Sequence, residues 1–276
     1  MDTLWFQNEI REKGFYRTSG KQPKHFLPSF LATPLFGVAM TGIYVLGNIR
    51  SKRPGFMEKE WAVFGLWVLR LVERIGGYVS IEGFEEIKNL KTPVVWASNH
   101  VSSLETYLLP SVLMTWPGLI VVLKEALAQY PLFGSVVRAV DPIRVKRENP
   151  IEDLRKVLTD GVAGIKAGRS ALIFPQGARY RDFVPKTFNT MAAKLAMKAD
   201  VPVVPIAVST DFLRIGKLHR DVTATIHPSS PVRIACGPIL PPSLGQAELQ
   251  RLTLEFITSK LAEWEKSDSL RLLATP

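Results

Sequence analysis

The chain has 276 residues, 46% of them hydrophobic, which suits one sizeable core with a small appendage rather than two equal domains. A net charge of +10 suits anionic partners: a membrane surface, a phosphate-bearing substrate or nucleic acid. The single cysteine, Cys236, excludes an intrachain disulfide; His25, His219 and His227 are scattered, and no Cys/His cluster has the spacing of a metal site.

Residues 1–25 are polar and basic, with Arg11, Lys13, Arg17, Lys21 and Lys24 against Asp2, Glu9 and Glu12. They read as a surface-lying or partly disordered segment. From Phe26 to Asn48 there is no charge at all, and the run is long enough to cross a bilayer. Pro28, Pro34 and three glycines weaken a straight spanning helix without forbidding it. Arg50, Lys52 and Arg53 follow, as at an anionic leaflet. The stretch from Trp61 to Leu69 is too short to span, but as an amphipathic helix it can lie in the interface. Residues 26–76 are therefore expected to form a two-helix membrane anchor, or one spanning helix plus a surface helix. Basic residues flank both sides, so charge does not choose.

After Gly76-Gly77 the pattern turns α/β, and 77–276 reads as one domain. Strands are expected at Tyr78–Ile81, around Val94, at Leu119–Leu123, Ala171–Phe174, Val203–Val208, Thr223–Ile226 and Val232–Ala235. Helices are expected from Ser103, over Ile151–Lys166, Met191–Met197 and Gln246–Trp264. This alternation implies a mostly parallel central sheet flanked by helices on both faces.

Two stretches carry chemistry. In the first, His100 stands at the carboxyl end of the Val94 strand, just before a helix capped by Ser103. Glu105 lies in the first helical turn, within reach of the imidazole. A carboxylate on one ring nitrogen fixes the tautomer and leaves the other nitrogen as a base. In the second, Phe174-Pro175-Gln176-Gly177-Ala178-Arg179-Tyr180-Arg181 leaves another buried strand. Gly177 allows close backbone approach to a ligand, and Arg179 and Arg181 have paired donors for a phosphate. The basic residues track the apolar segment and the strand exits rather than a face interleaved with aromatics, so no nucleic-acid partner is expected.

With both stretches in hand, the chain resembles the 1-acylglycerol-3-phosphate acyltransferase family of membrane glycerolipid acyltransferases. Asn99-His100-x-x-x-x-Glu105 resembles its first block. Val122-Leu123-Lys124-Glu125, with Pro131, Gly134 and Val145-Lys146-Arg147, resembles the second. Phe174 to Arg179 resembles the third and Val201-Pro202-Val203-Val204-Pro205 the fourth. The resemblance covers roughly 80–210. It implies direct acyl transfer from an acyl thioester, on coenzyme A or acyl carrier protein, to a lysophospholipid hydroxyl, with no other cofactor. His100 is implied as base, Glu105 as its orienting partner, and Lys124, Arg147, Gln176, Gly177, Arg179 and Arg181 as substrate-binding. It also implies a membrane location on the cytoplasmic face.

The chain departs from the family pattern in Glu105 for Asp, Gln176 for Glu, Ala178 for Thr and Lys146 for an acid before Arg147. The base site is kept and the acceptor site altered. The acceptor implied first is 1-acylglycerol-3-phosphate. Another lysolipid, or an inactive lipid-binding role, is the alternative.

Overall fold

The computed structural model describes residues 3–19, 27–56, 60–116, 118–216 and 220–273, with the side chains of 220–223 and 271–273 left aside. Lys21, Lys24, His25 and His219 lie outside these residues.

The core strand β3 (Val95–Ser98) shows why the sheet is doubly covered. Trp96 faces one helical layer and Val95 and Ala97 face the other, so all are buried and the strand reads as a continuous apolar run. Around it lie β7 (Val203–Ser209), β6 (Ser170–Ile173), β4 (Leu119–Lys124) and β5 (Ile143–Val145). With β3 they run parallel in the order β7-β3-β6-β4-β5. Beyond β7 the direction reverses. There β10 (Val232–Cys236) pairs antiparallel with β7 and parallel with β2 (Val79–Glu82), and β1 (Tyr16–Arg17) closes that edge antiparallel to β2. The sheet is mostly parallel, as expected. The Thr223–Ile226 strand belongs elsewhere: it is the end of β9 (Arg220–Ile226), which pairs with β8 (Leu213–Gly216) in a separate hairpin.

One layer holds α1 (Thr3–Lys13), α2 (Ser29–Arg50), α3 (Trp61–Arg74) and α4 (Leu104–Leu113). The other holds α6 (Pro150–Lys166), α7 (Met191–Ala199) and α8 (Gln246–Leu273); α5 (Gly134–Ala139) sits beside α2. Asn149 caps α6 by accepting from the amides of Ile151 and Glu152, with Pro150 in the first turn.

Two expectations about the N-terminal part are corrected. The first basic residues form α1 and β1, and Phe6 and Ile10 are completely buried. Apolar side chains four apart on a short helix dominate over the charges around them. The two-helix anchor reduces to one candidate, because among the described residues only α2 is long and apolar enough to cross a membrane. Helix α3 is a core helix, with Leu66, Val68, Leu69 and Val72 buried. Gly65 lets it close on α4, since a Cβ there would stand 2.5 Å from the Tyr107 carbonyl. Trp67 is held within the protein, in ring contact with Phe64 and with the Arg50 guanidinium 5.3 Å above its ring.

Candidate active site

The parallel strands deliver the predicted residues to one edge of the sheet. His100 leaves β3, Gln176, Gly177 and Arg179 leave β6, Lys124 ends β4 and Arg147 follows β5. At about 4.8 Å per strand, Lys124 lies roughly 10 Å and Arg147 roughly 14 Å from the exit of β3. Both are exposed. The Arg147 backbone has φ +63° and its amide donates to Asp153 at 2.9 Å.

His100 Nδ1 lies 2.8 Å from Glu105 Oε1. The carboxylate is completely buried and fully engaged. Its Oε1 also accepts the amides of Val101 at 2.7 Å and Ser102 at 2.8 Å. Its Oε2 accepts the Thr210 hydroxyl at 2.7 Å and the Ser102 hydroxyl at 3.0 Å. Burial pushes the carboxyl pKa up, but the bonds from His100, from Thr210 and from a backbone amide outweigh it and hold the group below its ordinary value. A charged Glu105 accepts from the Nδ1–H of His100, so the Nε2 lone pair is left as the base. The imidazole stacks on the Phe174 ring at 4.4 Å.

Three further residues hold this arrangement. Asn99 exchanges two hydrogen bonds with the backbone of Val208, at 2.8 and 2.9 Å, and so pins the exit of β3 to β7. Thr210 follows β7 directly. Ser102, rather than the expected Ser103, caps α4: its hydroxyl accepts from the Leu104 amide at 3.0 Å, while Ser103 makes no side-chain cap bond. Sequence reasoning missed Thr210, although it carries the same signal as His100, a polar residue at the exit of a buried strand; the cap duty expected of Ser102 and Ser103 falls to Ser102.

Gln176 is taken up by the protein. Its Oε1 accepts the His100 amide at 2.7 Å, and its Nε2 is buried with no partner among the described residues. The Gly177 backbone has φ +66°, and a Cβ there would meet open space, so turn conformation alone selects glycine. The loop then crosses the exit of β3, where the Tyr180 amide donates to the His100 carbonyl at 2.9 Å. Arg179 is partly exposed and Arg181 exposed.

A base-and-carboxylate pair at a strand exit, with basic residues on the neighbouring exits, has the groups that general-base transfer to an anionic substrate requires. Residues 79–209 match the family model Acyltransferase. The chain is 32% identical over 152 residues to a 1-acyl-sn-glycerol-3-phosphate acyltransferase of Pseudomonas aeruginosa, covering 55% of this chain and 56% of that protein. It is 27% identical over 195 residues to a chloroplastic 1-acyl-sn-glycerol-3-phosphate acyltransferase of Brassica napus, covering 67% and 52%. These matches span about half the length of the curated relatives. The fold is shared with the crystal structure of a 1-acyl-sn-glycerophosphate acyltransferase from Thermotoga maritima, with a TM-score of 0.66 and 21% identity over 86% of this chain and 96% of that one.

Proposed function

We propose that the protein is a membrane-associated O-acyltransferase that moves a fatty acyl group from an acyl thioester to the hydroxyl of a lysophospholipid, first of all 1-acylglycerol-3-phosphate. The observation that carries this reading is the His100–Glu105 pair with Nε2 left open at the sheet edge. His100 takes the acceptor proton as the oxygen attacks the thioester carbonyl. The new C–O bond forms, the C–S bond breaks, and the imidazolium returns its proton to the departing thiolate. Glu105 offsets the imidazolium charge from a fixed position. Ser102, buried and bonded to Glu105, is not a nucleophile. Arg179 and Arg181, with Gly177 between strand and loop, take the acceptor phosphate; Lys124 and Arg147 serve the substrates from the opposite flank. Names of the similar proteins support the acceptor class.

The apolar helix supports membrane association and its mode. Phe30, Leu31, Leu35, Val38, Leu46 and Ile49 are exposed along α2. The opposite face packs on the domain from end to end: Thr33 accepts the Ile226 amide at 3.0 Å, Tyr44 meets Tyr107 at 2.6 Å, and Asn48 accepts from Ser135 at 2.8 Å. A helix packed along its length against the rest of the domain lies in one leaflet rather than across two. The test of the activity is acyl transfer from radiolabelled acyl-CoA and acyl carrier protein to a panel of lysolipids, in wild type and His100→Ala. Transfer lost in the variant supports the reading; no transfer by wild type to any acceptor overturns it.

A further inference from the structure

Strand β4 delivers Lys124 to the catalytic edge, and the chain then makes a single turn, Glu125–Gln129, before α5 begins at Gly134. The segment between, Tyr130-Pro131-Leu132-Phe133, is tightly held through its backbone. The Gly134 amide donates to the Tyr130 carbonyl at 2.8 Å. The Phe133 amide donates to the Pro131 carbonyl at 2.7 Å and closes a three-residue γ-turn centred on Leu132. A Cβ on Gly134 would stand 2.4 Å from the Ala128 carbonyl oxygen, and Arg138 donates to that same oxygen. This rigid turn nevertheless displays apolar side chains: Tyr130 is 59% exposed and Leu132 42%. Leu132 has φ +62°, a left-handed conformation that costs a leucine free energy and a glycine almost none. Folding alone therefore favours glycine there, and a leucine left nearly half exposed gains little from the core in return.

The turn lies against α2 and extends its exposed face. The Phe133 ring meets Tyr44 of α2 at 5.5 Å and Tyr107 of α4 at 6.3 Å. Ser135 donates to Asn48, and a Cβ on Gly47 would stand 3.1 Å from Val136. The stretch from Phe133 to Val136 therefore runs beside α2 between Tyr44 and Asn48, where Val45, Leu46 and Ile49 are exposed. At its other end the turn leads back to Lys124, on the edge that carries His100. Lys124 and Arg138 are exposed on either side of it in the sequence, and Glu125, half-buried, is the one acid from 124 to 138. An exposed tyrosine and leucine flanked by cations, continuous with a long apolar helix, match the boundary between anionic headgroups and acyl chains.

We propose that the Tyr130–Leu132 turn is a second lipid-inserting element, and that together with α2 it sets the catalytic edge against an anionic leaflet. This proposal rests on the membrane reading of α2, and the experiment keeps the two apart. The full chain is compared with Leu132→Gly, which suits the backbone, and with Tyr130→Ser. Each is sedimented with mixed phosphatidylglycerol and phosphatidylcholine vesicles. Transfer from acyl-CoA to 1-acylglycerol-3-phosphate is measured in those vesicles and in detergent micelles. A polarity-sensitive dye is attached to Leu132→Cys and, as a reference, to Thr258→Cys, exposed on α8; the native Cys236 is buried. On adding vesicles, the dye at 132 is expected to shift to the emission of an apolar medium and the dye at 258 to stay in water. Leu132→Gly and Tyr130→Ser are each expected to bind vesicles about five- to tenfold more weakly. Transfer in vesicles should fall by a similar factor, with transfer in micelles near wild type. Wild type that sediments while the dye at 132 stays in water overturns the turn and leaves α2 as the anchor. Wild type that does not sediment overturns both. Variants equal to wild type in vesicle affinity and in vesicle transfer also overturn the turn. A dye shift that follows protein concentration without lipid does so too, by assigning the patch to a second copy of the chain. The dye and sedimentation results decide the proposal even for a chain without transferase activity.

Discussion

His100 Nδ1 and Glu105 Oε1 lie 2.8 Å apart, and of the two side chains only the imidazole meets solvent. The carboxylate spends its remaining capacity on the protein, so among the described residues the pair keeps one atom without a hydrogen bond, His100 Nε2. His100→Ala removes that atom and leaves the buried network around Glu105 in place. Transfer is expected to fall by about 100- to 10,000-fold with the circular dichroism spectrum unchanged. Full turnover by this variant would sink the mechanism.

Glu105 also makes stability depend on pH. Its carboxyl lies below the ordinary value of 4.5 in the folded chain, so its contribution is fully present above that value. The contribution is lost as pH falls from 4.5 through the folded-state pKa. Urea midpoints measured between pH 7 and 3 are expected to drop in wild type and to drop less steeply in Glu105→Gln. Parallel curves would contradict the assignment.

Gln176 supports the base through the backbone. Gln176→Glu keeps an acceptor for the His100 amide, whereas Gln176→Met leaves that amide without one. The Met variant is expected to lose about 1–3 kcal/mol of stability by denaturant titration. Its kcat should fall further than that of the Glu variant. Equal loss in both would place the role of Gln176 elsewhere.

The exposed face of α2 is expected to hold the protein on lipid by apolar burial. Sedimentation with anionic vesicles should survive high salt in wild type. In Leu35→Asp with Val38→Asp it should be largely lost, because each charge costs up to about 2.5–3.5 kcal/mol in hydrocarbon. Release of wild type by salt alone would reduce the helix to an electrostatic contact.

Helix α1 is part of the core. Phe6 is completely buried and meets the Tyr16 ring at 5.1 Å. Phe6→Ala is expected to cost about 3–5 kcal/mol, read from the denaturant midpoint. A shift within the range of surface substitutions would mean that α1 is dispensable.

The sequence by itself determined the parallel α/β character, the His100–Glu105 pair, the loop at Phe174 to Arg181 and the apolar helix. Each of these is a local pattern: an apolar run bounded by turn residues, a carboxylate one helical turn from an imidazole, or an uncharged stretch of fixed length. Burial of α1 and α3 escaped such patterns, because a short apolar face looks the same whether it meets lipid or a neighbouring helix. Only the tertiary structure decided that Thr210 supports Glu105 across 105 residues of chain and that Gln176 supports His100 across 76. These meetings follow from strand order and from the crossing of one loop over a strand exit, and pairing order depends on the packing of both sheet faces at once rather than on the period of any one segment.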